Sequence, residues 1–132
     1  MADSTDYTKW LDRAGQDIKL IDVIYKEGLE GLEDSFCYAC QQAAEKLLKA
    51  FIIKNERNVP RSHDLLFLLK ICKKYDDSVL NLSDAVTALS EYSVSARYPS
   101  DFEDKRTIEE AKEAYDYIVE IRNTFKPFFE KC

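Results

Sequence analysis

The stretch "FCYACQQAAEKLLKAF", Phe36–Phe51, decides the fold class that the sequence predicts. Apolar side chains recur in it at steps of three and four residues, which is the spacing of one face of an α-helix. No glycine or proline interrupts it, so we expect a long helix that begins near Leu32–Ser35. Its apolar stripe consists of Phe36, Cys40, Ala43, Leu47 and Phe51, widened by Ala39, Ala44 and Leu48.

Four other segments show a helical pattern. Residues 6–29 form the first, which ends at Gly28 and a turn at Gly31. The third, "LLFLLKIC" (Leu65–Cys72), is apolar almost all round, which predicts a central, well-covered helix. The apolar stripe of the first helix is Tyr7, Trp10, Ala14, Ile18, Ile21 and Tyr25. That of the fourth helix is Leu82, Ala85, Leu89, Tyr92 and Ala96. That of the last helix is Ile108, Ala111, Tyr115, Ile118, Ile121 or Arg122, and Phe125.

Capping residues and prolines predict the helix boundaries. The predicted boundaries are a cap at Ser62 or Asp64 for the third helix, a cap at Ser83 for the fourth and Pro99 at its end, a cap at Thr107 for the last helix and a kink or end at Pro127, with a loop at Lys54–Ser62. Three glycines and three prolines in 132 residues leave few turns, which favours long helices over strands. The prediction is an all-α protein of about five helices in a single domain, residues 1–132.

The net charge of −6 does not favour bulk nucleic-acid binding, since phosphates need a basic surface. It leaves room for a local basic pocket for one nucleotide. The longest apolar runs, such as Leu65–Leu69, are too short for a membrane span, so no membrane association is expected. The N-terminal "MADSTDY" is polar and acidic, with no signal peptide, and we expect a cytoplasmic protein.

The cysteines and the single histidine limit the chemistry of the chain. Cys37 and Cys40 form a C-x-x-C inside a predicted helix with no strand before it, unlike a redox motif. The spacing of Cys72 and His63 matches no common zinc-ligand pattern. A metal site that needs two or three histidines is excluded, because the chain has one histidine. We therefore expect reduced thiols, of which Cys132 is the fourth, and no metal or cofactor.

Polar residues around the second and third helices have more than one interpretation. His63 abuts a helix start before Asp64, where it serves either the backbone or a cleft. The polar face of the second helix carries Gln41, Gln42, Glu45, Lys46 and Lys49, and Glu45 and Lys49 form a favourable i,i+4 pair. Because small residues flank the two glutamines, solvation, a dimer contact and a ligand contact all stay open for this face.

Arg97 and Tyr98 mark an abrupt break in the chain, in "SARYPSDF". Arg97 lies in the last turn of a predicted helix, where a cation complements the helix dipole. Tyr98 precedes proline and is pushed out of helical geometry. A capped helix end explains the break, and the edge of a binding cleft is the alternative.

Four pieces of the chain together resemble the HEPN domain family, named for higher eukaryotes and prokaryotes nucleotide-binding. They occur in the order and spacing typical of that family: "WLDRAGQDI" (Trp10–Ile18), "CQQAAEKLLKAFI" (Cys40–Ile52), "HDLLFLL" (His63–Leu69) and "YSVSARYP" (Tyr92–Pro99). The resemblance covers about residues 7–130. It implies an up-and-down helical bundle with a four-helix core, which forms homodimers and has a cleft lined by polar residues.

The same resemblance implies partners and an activity. Stand-alone prokaryotic HEPN proteins are commonly encoded beside a minimal nucleotidyltransferase, and many such pairs act as toxin and antitoxin. In those pairs the HEPN protein is a metal-independent RNase with an Arg-x(4–6)-His motif near the last helices. No histidine follows Arg97 here, and the one formal match, Arg57 to His63, falls in the loop between the second and third helices.

"ARYP" instead resembles the subgroup described as nucleotide-binding, or as the substrate-binding partner of a nucleotidyltransferase. For that role the planar guanidinium of Arg97 can donate two hydrogen bonds to a phosphate, and the ring of Tyr98 can stack on a base. The remaining candidates for the cleft are His63, Asp64, Gln41, Gln42, Lys46 and Lys49, and no catalytic residue is assigned. The leading hypothesis is a nucleotide-binding homodimer, the alternatives being a ribonuclease that uses His63 with Arg57 or Arg97 and a helical adaptor without ligand.

Overall fold

The computed structural model of the chain describes residues 3–92 and 105–130, and within them it contains five α-helices, one 3-10 helix and no strand. The prediction of an all-α bundle of about five helices is confirmed. The elements in chain order are α1 (Tyr7–Glu27), α2 (Glu33–Glu56), α3 (Leu65–Lys73), the 3-10 helix (Asp77–Leu82), α4 (Ser83–Ser90) and α5 (Ile108–Glu130).

Helix α2 lies at the centre of the bundle and contacts all four other α-helices. Its predicted apolar stripe is buried, and so is much of the face predicted to be polar, because neighbours pack around the helix on several sides. A helix in that position buries residues at nearly every angle. Its buried residues are Phe36, Cys37, Cys40, Gln41, Ala43, Ala44, Glu45, Leu47, Leu48, Lys49, Ala50, Phe51, Ile52 and Ile53.

The prediction that "LLFLLKIC" is the central, well-covered helix is wrong. Among the described elements, helix α3 contacts only α2, α4 and the 3-10 helix, so it is covered on one side. Leu65, Leu68 and Cys72 point into the core, whereas Leu66 and Phe67 are 38% and 48% exposed. A largely apolar run of eight residues does not by itself reveal how many neighbours the helix has.

Helix caps follow the predicted residue types at two of three starts. The Asp64 carboxylate accepts hydrogen bonds from the backbone N–H groups of Leu66 and Phe67, which caps α3. Thr107 and Glu110 exchange backbone and side-chain hydrogen bonds at 3.0 Å, a capping box at the start of α5. The prediction for Ser83 is wrong, because it is the first residue of α4 and its hydroxyl donates to the Leu80 carbonyl.

An aromatic cluster of Phe51, Phe125, Phe128 and Phe129 lies where α2 and α5 meet. The ring of Phe51 lies 5.2 Å from that of Phe125 and 5.1 Å from that of Phe128, between centroids. Of the two alternatives predicted at Pro127, a kink or an end of the last helix, the end is wrong, since α5 continues to Glu130. Pro127 lies on the exposed side near the helix end, where water can hydrogen-bond the carbonyl that proline leaves unpaired.

Candidate functional site

A cluster of three side chains forms around Glu45, in the middle of α2. Glu45 is buried, and its Oε2 atom forms an ion pair with Lys49 Nζ at 3.1 Å. The same oxygen lies 2.8 Å from Nδ1 of His63, which comes from the loop before α3. The predicted i,i+4 pair of Glu45 and Lys49 is therefore confirmed, and the fold adds the histidine to it.

The three members of the cluster differ sharply in exposure. The side chains of Glu45 and Lys49 are only 7% and 3% exposed, whereas that of His63 is 79% exposed. Because Nδ1 of His63 is directed at Glu45, its other ring nitrogen, Nε2, is the one left for solvent or a ligand. Glu45 Oε1 is buried and has no hydrogen-bond partner among the described residues. The cluster is thus a buried ion pair with an exposed imidazole attached to it.

Trp10 of α1 completes the surroundings of Lys49. The Lys49 ammonium lies 5.6 Å from the centroid of the Trp10 ring, a cation–π contact. The indole Nε1 donates a 2.8 Å hydrogen bond to the Ser4 carbonyl, which ties the N-terminal segment to the same place. Lys49 is therefore held by a carboxylate and by a ring, and the chain before α1 runs beside it.

A cavity of about 440 Å³ lies between the N-terminal segment and the loop that carries His63. Its volume falls within the range of small-ligand pockets. Three of its residues are basic, Lys49, Arg61 and His63, against one acidic residue, Asp3. The others are Thr5, Asn58, Val59 and Pro60. Arg61 and His63 therefore offer N–H donors to a small anion, beside the ion pair of Lys49 and Glu45.

The structure brings two of the predicted site residues, Lys49 and His63, to this cavity and places others elsewhere. Lys46 forms an ion pair with Asp17 at 2.5 Å on another side of α2. Gln41 is buried, and its Oε1 accepts a hydrogen bond from Gln42 Nε2 at 2.8 Å. Asp64 serves as the cap of α3. Arg97 and Tyr98 lie outside the residues that the structure describes.

The interpretation of this face of α2 as a solvated face is wrong for Gln41, Glu45 and Lys49, which are at most 6% exposed. The physical reason is the central position of α2, whose surroundings cover this face as well. The small residues beside the glutamines, Cys40 and Ala43 among them, are packed within the chain itself at 0% exposure. They do not form the exposed small-residue surface that would favour a dimer contact.

Arg61, Trp10 and the residues of the N-terminal segment were missed by the sequence reasoning. Arg61 had a signal, because it stands two residues before His63 in a polar loop. Arg57, the formal partner of His63 in the ribonuclease pattern, does not line the cavity. It ends α2 in the left-handed conformation, with φ of 56°, and its backbone N–H donates to the Ile53 carbonyl.

A second cavity, of about 650 Å³, lies between α1 and α5 and reaches Leu47 of α2. Two cations line it: Arg122, which lies 3.7 Å from Asp22, and Lys126, which lies 3.8 Å from Glu130. It carries none of the predicted site residues. The cavity beside His63 is therefore the better candidate.

Residues 3–92 and 105–130 contain no group of three or more metal-ligating side chains. Among the same residues, no helix has a run long and apolar enough to cross a bilayer.

We expect the thiols of Cys37, Cys40 and Cys72 to be unreactive in the folded protein. Burial raises the pKa of Cys37 and of Cys72 to about 12, and it also raises the pKa of Cys40. At pH 8 the thiolate fraction of a group with a pKa of about 12 is roughly 10⁻⁴. A Cys132→Ser variant should therefore react with a disulfide reagent only after denaturation.

The same pKa shift predicts how stability depends on pH. A group whose pKa is raised by folding stabilises the native state at low pH and loses that contribution as pH rises. The free energy of unfolding should therefore fall as pH rises from 9.0, the ordinary pKa of a thiol, to about 12.

Fast reaction of the Cys132→Ser variant with the disulfide reagent under native conditions would contradict the burial of these thiols.

The fold and the site define a helical bundle with a cationic cavity at one side of its central helix. The family model of the HEPN domain matches residues 7–127, and the chain belongs to that family. The crystal structure of TT1696 from Thermus thermophilus is similar, with 28% sequence identity and a TM-score of 0.74 over 93% of this chain and 98% of that one. No match to a curated protein was found.

Proposed function

We propose that this HEPN-domain protein binds a nucleotide, with its phosphate in the cavity lined by Lys49, Arg61 and His63. The observation that supports the proposal is the convergence of these three basic side chains on one cavity in a chain whose net charge is −6. Charge-assisted hydrogen bonds from lysine and arginine are the usual means of holding phosphate. Arg97 and Tyr98 are proposed to complete the site.

Calorimetric titration with AMP, GMP and ATP tests this proposal. Arg61→Gln should weaken binding about tenfold, because it removes one charge-assisted bond to phosphate. Arg13→Gln is the matched control, since Arg13 is exposed on α1 and does not line the cavity. No binding by the folded protein at millimolar nucleotide, or equal weakening by both variants, would contradict the proposal.

We further propose that the protein acts as a cytoplasmic homodimer, as the substrate-binding partner of a minimal nucleotidyltransferase. Support comes from its membership of the HEPN family and from the likeness of its "ARYP" segment to the nucleotide-binding subgroup. Light scattering at tens of micromolar tests the dimer, and a monomer there would contradict it. A search of the neighbouring genes for a nucleotidyltransferase tests the partner.

A ribonuclease is the second candidate function, because one observation favours it. Glu45 holds Nδ1 of His63 at 2.8 Å and leaves Nε2 outward, which is how a general base is oriented. Incubation with RNA in the absence of metal, beside a His63→Ala variant, separates the two functions. Cleavage that the variant loses would establish the ribonuclease. An adaptor without ligand is disfavoured by the charged lining of the cavity.

A further inference from the structure

The hydrogen bond between His63 and Glu45 determines what His63 can offer to a ligand. A buried carboxylate that also binds Lys49 acts as an acceptor, so the proton of the contact sits on Nδ1 of the histidine. In the neutral ring the outward Nε2 is then an acceptor only. In the protonated ring both nitrogens are donors. Glu45 therefore sets the tautomer, and the outward nitrogen donates only when the ring carries a charge.

A phosphate dianion has only acceptor oxygens. Two acceptors cannot hydrogen-bond to each other, so contact between a phosphate dianion and neutral Nε2 lacks a proton. A phosphate at this place takes up that proton when it binds, and the proton bridges Nε2 and a phosphate oxygen. From this geometry we propose that His63 couples binding of a phosphate monoester in the cavity to the uptake of one proton, with Glu45 as the positioning residue.

The charges around His63 fit this coupling. They are Glu45 and Lys49 on α2, Arg61 and Asp64 beside it in the loop, and Asp3 across the cavity. Glu45 and Lys49 form an ion pair, and the single positive charge of Arg61 stands against the two negative charges of Asp3 and Asp64. A protonated His63 adds one positive charge, which the incoming anion compensates while Glu45 stabilises the second ring N–H. Ligand and proton therefore each favour the binding of the other.

The inference rests on the proposed nucleotide binding, and calorimetry distinguishes the two. AMP is titrated near pH 8, above the usual range for an imidazole, in several buffers of different ionisation enthalpy. The slope of the observed enthalpy against the buffer enthalpy counts the protons. We expect uptake of about one proton for AMP, and none for adenosine, which lacks the phosphate. No AMP binding at all would overturn both proposals, whereas binding with no proton uptake would overturn only this one.

Two substitutions at the exposed His63 separate its two nitrogens. His63→Asn keeps an N–H donor near the position of Nδ1, towards Glu45, and removes Nε2. We expect the fold to persist, the affinity for AMP to fall about tenfold and the proton uptake to disappear. His63→Gln instead places an amide donor near the position of Nε2, which should restore part of the affinity without proton uptake. Uptake that persists in His63→Asn would place the proton on another group and contradict the proposal.

Glu45→Gln tests the positioning role of the carboxylate. The amide oxygen can still accept from Nδ1, but the negative charge that favours the protonated ring is gone. We expect the proton uptake to fall, and a far-ultraviolet circular dichroism spectrum checks the fold. Unchanged proton uptake in folded Glu45→Gln would show that Glu45 does not act through His63.

Discussion

Replacing Lys49 with methionine is expected to lower the free energy of unfolding by about 3 kcal/mol, because it leaves a buried carboxylate without its cation. Lys49 and Glu45 are 3% and 7% exposed, and their atoms lie 3.1 Å apart. After the substitution the exposed His63 is the partner that Glu45 retains among the described residues. Methionine has nearly the length of lysine and can still pack on Trp10, so the loss reports mainly on the uncompensated charge. Urea denaturation near neutral pH measures it.

Lys46→Met is the matched control for that experiment. Lys46 also forms an ion pair from α2, with Asp17 at 2.5 Å, but both side chains are more than a quarter exposed. Water screens such a pair, and we expect a loss of less than about 1 kcal/mol. Combining Lys49→Met with Glu45→Met should recover much of the stability, since an apolar pair replaces the ionic one. Equal losses from Lys46→Met and Lys49→Met would contradict the buried ion pair.

Replacing Phe125 with alanine is expected to cost about 4 kcal/mol, the largest loss we expect from a single apolar side chain. Phe125 is fully buried on α5, and its ring packs against Phe51 of α2 and against Phe128 and Phe129. The substitution opens a cavity where α2 and α5 meet. Thermal and urea denaturation of the variant measure the effect.

Phe67→Ala is the control for the aromatic prediction, because the chemical change is the same and the environment differs. Phe67 lies on α3 and is 48% exposed. We expect its removal to change the free energy of unfolding by no more than about 0.5 kcal/mol. A large loss at Phe67 would show that the exposed face of α3 is covered in solution, by another chain or by residues outside the described ranges.

Much of the fold could be predicted because helix formation and capping are local. The apolar spacing of α1, α2 and α5, the cap at Asp64 and the capping box at Thr107 depend on residues a few positions apart. The family resemblance was also visible, and the match over residues 7–127 confirms it. The error at α3 and the continuation of α5 past Pro127 concern how neighbours cover a helix and how a helix end tolerates proline, which depend on distant contacts.

The site could be predicted only in part. Lys49 and His63 were both named, and the pair of Glu45 and Lys49 followed from its spacing of four residues. The contact between His63 and Glu45 joins positions 18 residues apart, and no local pattern predicts it. Arg61 and Asp3 meet at one cavity only because the loop and the N-terminal segment lie on the same side of α2.

By itself, then, the sequence determined the helices, their apolar faces, the fold class and the family, because each depends on short-range spacing or on motifs in a fixed order. Only the tertiary structure decided which helix is central, and that choice determines the site. The position of α2 among four neighbours buries Glu45 and Lys49, two charges that look solvated in the sequence. Buried charges need partners, and the fold supplies His63 at the edge of the cavity.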